Sequence, residues 1–212
     1  MVPFRPLFRN SHWQTIAGHL WKRSGEEARF PVERRFYRTE PEVEVAVESQ
    51  HPAGTAAGNI VMVHGLEGDG RAGYMRGMAG TALRAGFAAH RFHMRTCGGT
   101  ERLCRTLYHA GLSSDLLRVL EEFREEGRAP VFLVGFSLGG NVALKLAGAP
   151  DKAQVLAIGD GPETDIKGAV ANGLACVFIS GGINTAPGAE AEVRAKYPTA
   201  LILKSMPELA WD

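Results

Sequence analysis

The apolar positions of this chain switch between two rhythms. In "EVEVAVES" (42–49) apolar and charged residues alternate with period two, the mark of a strand with one exposed face. "NIVMVHG" (59–65) is apolar almost without a break, as expected for a strand buried on both faces. "AGYMRGMAGTALRAG" (72–86) predicts a helix of small residues, and "FAAHRFHM" (87–94) the next strand. "SSDLLRVLEEFREEG" (113–127) is an amphipathic helix, with Ser113 or Ser114 to cap it, Asp115 in its first turn and Gly127 to end it. The apolar run 131–135 predicts a strand, and a helix starts at Leu138. The alternation continues with a strand at 154–160, a helix at 163–173, a strand at 175–182, a helix at 188–197 and a strand at 199–205. Residues 1–35 follow neither rhythm. They are basic, aromatic and irregular, and His12, Trp13, His19 and Trp21 in "NSHWQTIAGHLW" predict a leader packed against the domain, or a lid.

Strand–helix alternation along the whole length predicts an α/β fold. The expected form is a single doubly wound, mostly parallel sheet with helices on both faces, in three layers. Ligands in such sheets bind at the carboxyl ends of the strands, so the residues just after each strand are the ones to inspect. Composition adds mainly exclusions. Of the 212 residues, 45% are hydrophobic and 22% charged, an ordinary globular balance. A net charge of +1 offers no electrostatic footprint for nucleic acid. Pro3 and Pro6 break a start that has no apolar h-region, so no signal peptide is expected. No apolar run approaches the roughly 18 residues of a membrane span. Cys97, Cys104 and Cys176 lack metal-type spacing and read as small buried hydrophobes in a reducing cytoplasm. None of these features bears on oligomeric state.

One stretch carries candidate chemistry. In "VFLVGFSLGGNVALKLA" (131–147) a strand, a Gly135-Phe136-Ser137-Leu138-Gly139 turn and a helix follow one another. That context makes Ser137 a candidate nucleophile at an elbow. A tight turn leaves little room for β-carbons, hence the flanking glycines. Leu138 N–H opens a helix, where partial positive charge favours a developing oxyanion. A second donor is expected from "HGLEGDG" (64–70), whose glycines would let Leu66 N–H face the site. The plainer reading is a tight turn in a glycine-rich protein, since the chain has 26 glycines. The strand–elbow–helix context and the His64–Gly65 loop upstream favour the nucleophile.

"PFRPLFRNSHWQTIAGHLW", "VHGLEG", "HMRTCGGTE" and "GFSLGGNVALKLAG" together resemble the YheT-like branch of the α/β-hydrolase superfamily, over about residues 1–148. The resemblance implies Ser137 as nucleophile, Leu66 and Leu138 as oxyanion donors, a small-molecule ester of medium or long acyl chain as substrate, and no required cofactor. It also implies an acid and a histidine after the serine. Every histidine (His12, His19, His51, His64, His90, His93, His109) precedes Ser137, so slow ester cleavage is expected.

"VLAIGDGPETDIKGAVANGLACVFISGGI" (155–183) is similar to the last metal-binding motif of haloacid-dehalogenase-like hydrolases. The likeness implies that Asp160 and Asp165, at a strand end and a helix start, could hold Mg²⁺ beside phosphate. The plainer reading has Asp165 capping a helix and Asp160 ending a strand. The Asp-x-Asp nucleophile pair of that family is absent, because Asp69, Asp115, Asp151, Asp160, Asp165 and Asp212 include no such spacing. The chain is thus expected to join residues 1–150, the N-terminal half of an α/β-hydrolase domain, to a haloacid-dehalogenase-like segment, 151–212, that completes the sheet. With strand 154–159 beside strand 131–135, Ser137 and Asp160 would end neighbouring strands, His64 lying on the other side. A makeshift Ser137–His64–Asp160 set is then conceivable, although a histidine in such a loop is expected to shape the oxyanion turn. The first functional expectation is a serine-type carboxylic-ester hydrolase. The rivals are a Mg²⁺-dependent phosphatase and a folded scaffold or chimera without turnover.

Overall fold

The structure, a computed structural model, describes residues 26–148, 156–181 and 188–204. The leader motif 10–21, with His12, Trp13, His19 and Trp21, lies outside the described residues. Those that are described divide into two compact units, one within Leu7–Leu146 and one within Ala147–Asp212.

The first unit is built on a five-stranded sheet in the order β1-β2-β4-β3-β5. Its strands are β1 (Glu33–Glu40), β2 (Val43–Gln50), β3 (Asn59–Val63), β4 (Ala88–His93) and β5 (Val131–Gly135). β1–β2 and β2–β4 pair antiparallel; β4–β3 and β3–β5 pair parallel. The unbroken apolar run of β3 is explained by its place between two parallel neighbours, and alternate residues serve the two faces. Val61 and Val63 join a core with Val45, Val47 and Phe92. Helix α2 (Ser114–Glu125) contributes Leu116, Val119 and Phe123 to that core, and α3 (Leu138–Ala147) contributes Val142. Met62 faces the other way, onto α1 (Gly73–Arg84), where Met75, Ala79, Ala82 and Leu83 are buried. The α/β class and the helices on both faces are therefore present in this unit. β1 was not anticipated. Its "ERRFYRTE" sequence is highly charged, and only Tyr37 of the eight is buried, because β1 is an edge strand.

The second unit has β6 (Leu156–Gly159), β7 (Ala175–Ile179) and β8 (Leu201–Leu203), all parallel, in that order. A π-type turn, Pro162–Ile166, runs into the short helix α4 (Lys167–Ala171), and α5 (Ala189–Lys196) precedes β8. Ile166, Ala169, Cys176, Phe178 and Val193 form its core. Within this unit β6 pairs with β7 in a parallel ladder. An apolar run reports that a strand is buried, but carries no information about which strand is its neighbour.

Buried polar groups tie the first unit together. Arg95 donates to both oxygens of Asp115, at 2.6 and 2.8 Å, and to Glu40 and Thr106. This links the end of β4 to the first turn of α2 and to the end of β1. Removing one partner of such a pair leaves an uncompensated charge, at about 3–5 kcal/mol. His90, wholly buried, sits between Ser49 Oγ (2.8 Å from Nδ1) and Asn59 Oδ1 (3.0 Å from Nε2). Glu48 is surrounded by Arg34, Arg71, Arg91 and His93.

Acid should weaken this unit over two ranges of pH. Burial, above all, holds the His90 imidazole at about 3, below its ordinary 6.5. His93 first, then Arg91 and Arg71, hold Glu48 at about 2, below 4.5. Both folded values are depressed, so each contribution is present above the unfolded value and lost as pH falls. The windows run from 6.5 towards 3 for His90 and from 4.5 towards 2 for Glu48. Urea denaturation across pH should show stability declining below about 6.5 and more steeply below about 4.5. His90→Gln should make the upper part shallower, buried His64 keeping a share of it, and leave the lower part unchanged; a profile level from pH 7 to 4 would contradict the buried neutral histidine.

Candidate active site

Ser137 stands where β5 gives way to α3, with φ 52°, in the left-handed region. For a residue with a β-carbon this costs about 1–2 kcal/mol, and it persists only because the surroundings impose it. Phe136 N–H donates to Val63 O at 3.0 Å, Gly139 N–H to Phe136 O at 2.9 Å, and Gly140 N–H to Ser137 O at 2.8 Å. The flanking glycines are steric necessities. A β-carbon on Gly139 would meet Val63 O, and would lie 2.5 Å from His64 O. One on Gly135 would run into the Gly139 carbonyl, 2.7 Å from its carbon. The outcome is a serine that is exposed to solvent at the end of a half-buried strand.

The loop after β3 lies against this serine. A β-carbon on Gly65 would be 3.2 Å from Ser137 Cβ. Along the loop, Gly65 N–H donates to Tyr74 Oη at 2.9 Å, Glu67 N–H to Tyr108 Oη at 2.8 Å, and Gly68 N–H to Gly65 O at 3.1 Å. Among the described residues neither Leu66 N–H nor Leu138 N–H donates to a protein acceptor. Leu138 is the first residue of α3, where a free N–H is the rule. The two tyrosines were not anticipated. Tyr74 reads locally as part of a helix and Tyr108 as a loop residue, and nothing nearby in sequence signals their partners.

His64 does not reach the serine. It is wholly buried, its Nδ1 lies 2.8 Å from Gly65 O, and its Nε2 accepts Met94 N–H at 3.1 Å. These partners set the tautomer with the proton on Nδ1. Burial also pushes its pKa below the ordinary value. Neither ring nitrogen is left to take a proton from Ser137, so the makeshift Ser137–His64–Asp160 set is corrected. The ring is drawn into the interior because it bridges the ends of β3 and β4. His93 is likewise interior: Gly70 N–H donates to its Nδ1 at 3.3 Å, and its Nε2 lies 3.6 Å from Glu48. His109 Nδ1 accepts Gly111 N–H at 3.2 Å, and His51 is exposed. No described histidine hydrogen-bonds Ser137.

Asp160 follows β6, and Asp165 lies in the π-type turn. Asp165 Oδ2 accepts Gly161 N–H at 3.0 Å, folding its carboxylate back over the end of β6. That is a turn-closing role. Among the described residues no group of three or more His, Cys, Asp or Glu side chains is gathered as a metal site needs. Magnesium asks for near-octahedral oxygen ligation, and the donors assembled here do not fit it.

The chain belongs to the alpha/beta hydrolase family, whose model matches residues 60–212. The match runs through 148–152, where sequence alone suggested a junction between families. Among curated proteins it is 33% identical over 146 residues to "Putative esterase YheT" of Escherichia coli (strain K12), covering 66% of this chain and 41% of that protein. The chain thus spans well under half the length of that relative. Among solved structures it resembles an alpha-beta serine hydrolase homologue from Coxiella burnetii, with 16% identity, TM-score 0.61 and coverage of 81% of this chain and 86% of that one. It also resembles XC6422 from Xanthomonas campestris, titled a member of a/b serine hydrolase without lid, with 20% identity, TM-score 0.59 and coverage of 82% and 84%. At these identities the structural likenesses establish the fold.

Two substitutions test the elbow. Ser137→Gly should relieve the left-handed backbone and raise stability by up to about 1 kcal/mol, the flexibility of glycine offsetting part of the gain. Gly139→Ala should destabilise by about 1–3 kcal/mol or more, since its neighbours are backbone carbonyls that cannot rotate away. Chemical denaturation measures both, and the opposite signs would mean that the elbow is unstrained and open.

Proposed function

We propose that this chain acts as a serine-type hydrolase on carboxylic esters of small molecules. The observation that carries the reading is Ser137, held at φ 52° between β5 and α3 with the Gly65 loop against it. In this reading Ser137 Oγ attacks the ester carbonyl. The tetrahedral oxyanion accepts hydrogen bonds from Leu66 N–H and Leu138 N–H, and the acyl group passes to the serine as the alcohol leaves. Collapse of an acyl-serine with water returns the acid. Family membership and the esterase name of the Escherichia coli relative support this chemistry. Medium or long acyl chains are the substrate class that the resemblance suggests.

The proton from Ser137 needs a base, and none of the described histidines supplies it. For the 212-residue polypeptide we therefore expect turnover about 10⁴-fold below that of a complete triad, because triad members act as a unit. No cofactor takes part. Residues 1–150 are proposed as the half of the domain that carries the nucleophile and both oxyanion donors. For 151–212, the family match through residue 212 favours a continuation of the same family over a haloacid-dehalogenase-like segment. The Asp165 turn gives no support to the phosphatase alternative. Among the described residues no helix is long and apolar enough to cross a membrane. The described cysteines Cys97, Cys104 and Cys176 are unpaired, in keeping with the cytoplasmic setting we propose.

The test is p-nitrophenyl ester hydrolysis by the purified chain beside Ser137→Ala. Slow turnover that the substitution abolishes is the expected result. Turnover that survives Ser137→Ala, or phosphate release that requires magnesium and Asp160, would overturn this assignment.

A further inference from the structure

Three consecutive backbone N–H groups after β3 meet different fates. Gly65 N–H donates to Tyr74 Oη and Glu67 N–H to Tyr108 Oη, while Leu66 N–H, between them, has no protein acceptor among the described residues. The peptide plane that carries Leu66 N–H also carries Gly65 C=O, because the peptide bond is planar. That carbonyl is held from two sides, by His64 Nδ1 at 2.8 Å and Gly68 N–H at 3.1 Å. The direction of Leu66 N–H is thus set by bonds to the groups around it, not by an acceptor of its own. Glu67 stands at φ 54°, a strained position without glycine, and its bond to Tyr108 helps hold it there.

The tyrosines are themselves fixed. Tyr74 lies in the first turn of α1 with its ring 4.8 Å from that of Phe136, the residue before Ser137. Tyr108 stands edge-on to His64, the ring centroids 6.3 Å apart. One hydroxyl grips the loop just before Leu66 and the other just after it. We propose that Tyr74 and Tyr108 are positioning residues, whose hydroxyls clamp the loop so that Leu66 N–H is presented as a preorganised oxyanion donor. This rests on the serine-hydrolase reading of Ser137 and adds to it two groups that never touch the substrate. Preorganisation is what makes such donors effective, since the transition state then requires no reorientation.

The experiment uses Tyr74→Phe and Tyr108→Phe in the full 212-residue chain, each removing one oxygen atom. Hydrolysis of p-nitrophenyl butyrate is separated into kcat and KM, and amide exchange of residues 65–67 is followed by NMR. Each variant should lose about 10-fold or more in kcat with KM changed less than about 3-fold, as expected for loss of a group acting in the transition state. Exchange at Glu67 should accelerate in Tyr108→Phe, and at Gly65 in Tyr74→Phe, with Leu66 already fast in the unsubstituted chain. A tyrosine that only fills space would leave the kcat-against-KM split unmoved, and that result overturns the proposal while Ser137→Ala remains inactive. If the unsubstituted chain shows no Ser137-dependent turnover, the hydrolase reading fails first and this inference with it. Should a variant unfold, the unsubstituted chain decides. Protected Gly65 and Glu67 flanking a fast Leu66 support the clamp, and equal rates at all three overturn it.

Discussion

The close approach of the α3 N-terminus to the end of β3 is the constraint on which the site depends. Gly139 sits so near the carbonyls of Val63 and His64 that no β-carbon fits. The chain must therefore turn from β5 into α3 within two residues, Phe136 and Ser137. Only a left-handed residue makes so short a turn, and the position that needs it is the serine. Strain and chemistry coincide there because the same geometry that distorts the backbone lifts the hydroxyl out of the sheet.

The interior polar groups serve this geometry. His64 joins the Gly65 carbonyl to the Met94 amide and so bridges the loop after β3 and the end of β4. His93 accepts from Gly70 further along the same loop, and Arg91 Nη1 donates to Gly70 O at 2.7 Å. Arg95 then fastens the end of β4 to α2. Each of these groups is buried, and the bonds it makes offset the loss of water, although Arg91 Nε and His93 Nε2 have no hydrogen-bond partner among the described residues. His64, the candidate base in the sequence, is thus committed to holding a loop in place, as is His93. Burial pushes the His64 pKa down and favours its neutral, hydrogen-bonding form.

What could be read from the residues themselves was local. The period-two alternation of β2, the unbroken run of β3 and the single stripe of α2 each depend on which faces are covered, and composition along a short stretch records that. The elbow was legible for the same reason. A strand, G-x-S-x-G and a helix lie within seventeen residues, and the glycines are required by contacts that the motif itself creates. Charged β1 was missed because an edge strand needs little apolar surface, leaving its pattern close to that of a loop.

What the sequence could not contain was the identity of distant neighbours. β3 lies between β4 and β5, an order that its apolar run leaves open. The placing of His64 and Ser137 at neighbouring strand ends left an acid–base pair conceivable, but the ring turns inward to bind two backbone groups. Tyr74 and Tyr108 follow Gly65 and Glu67 by 9 and 41 positions, and no local rule connects them. The residue sequence determines which segments become strands and helices and where a strained serine can stand. Only the folded chain decides which buried donor meets which acceptor, because each such bond depends on groups brought together from separate strands and loops.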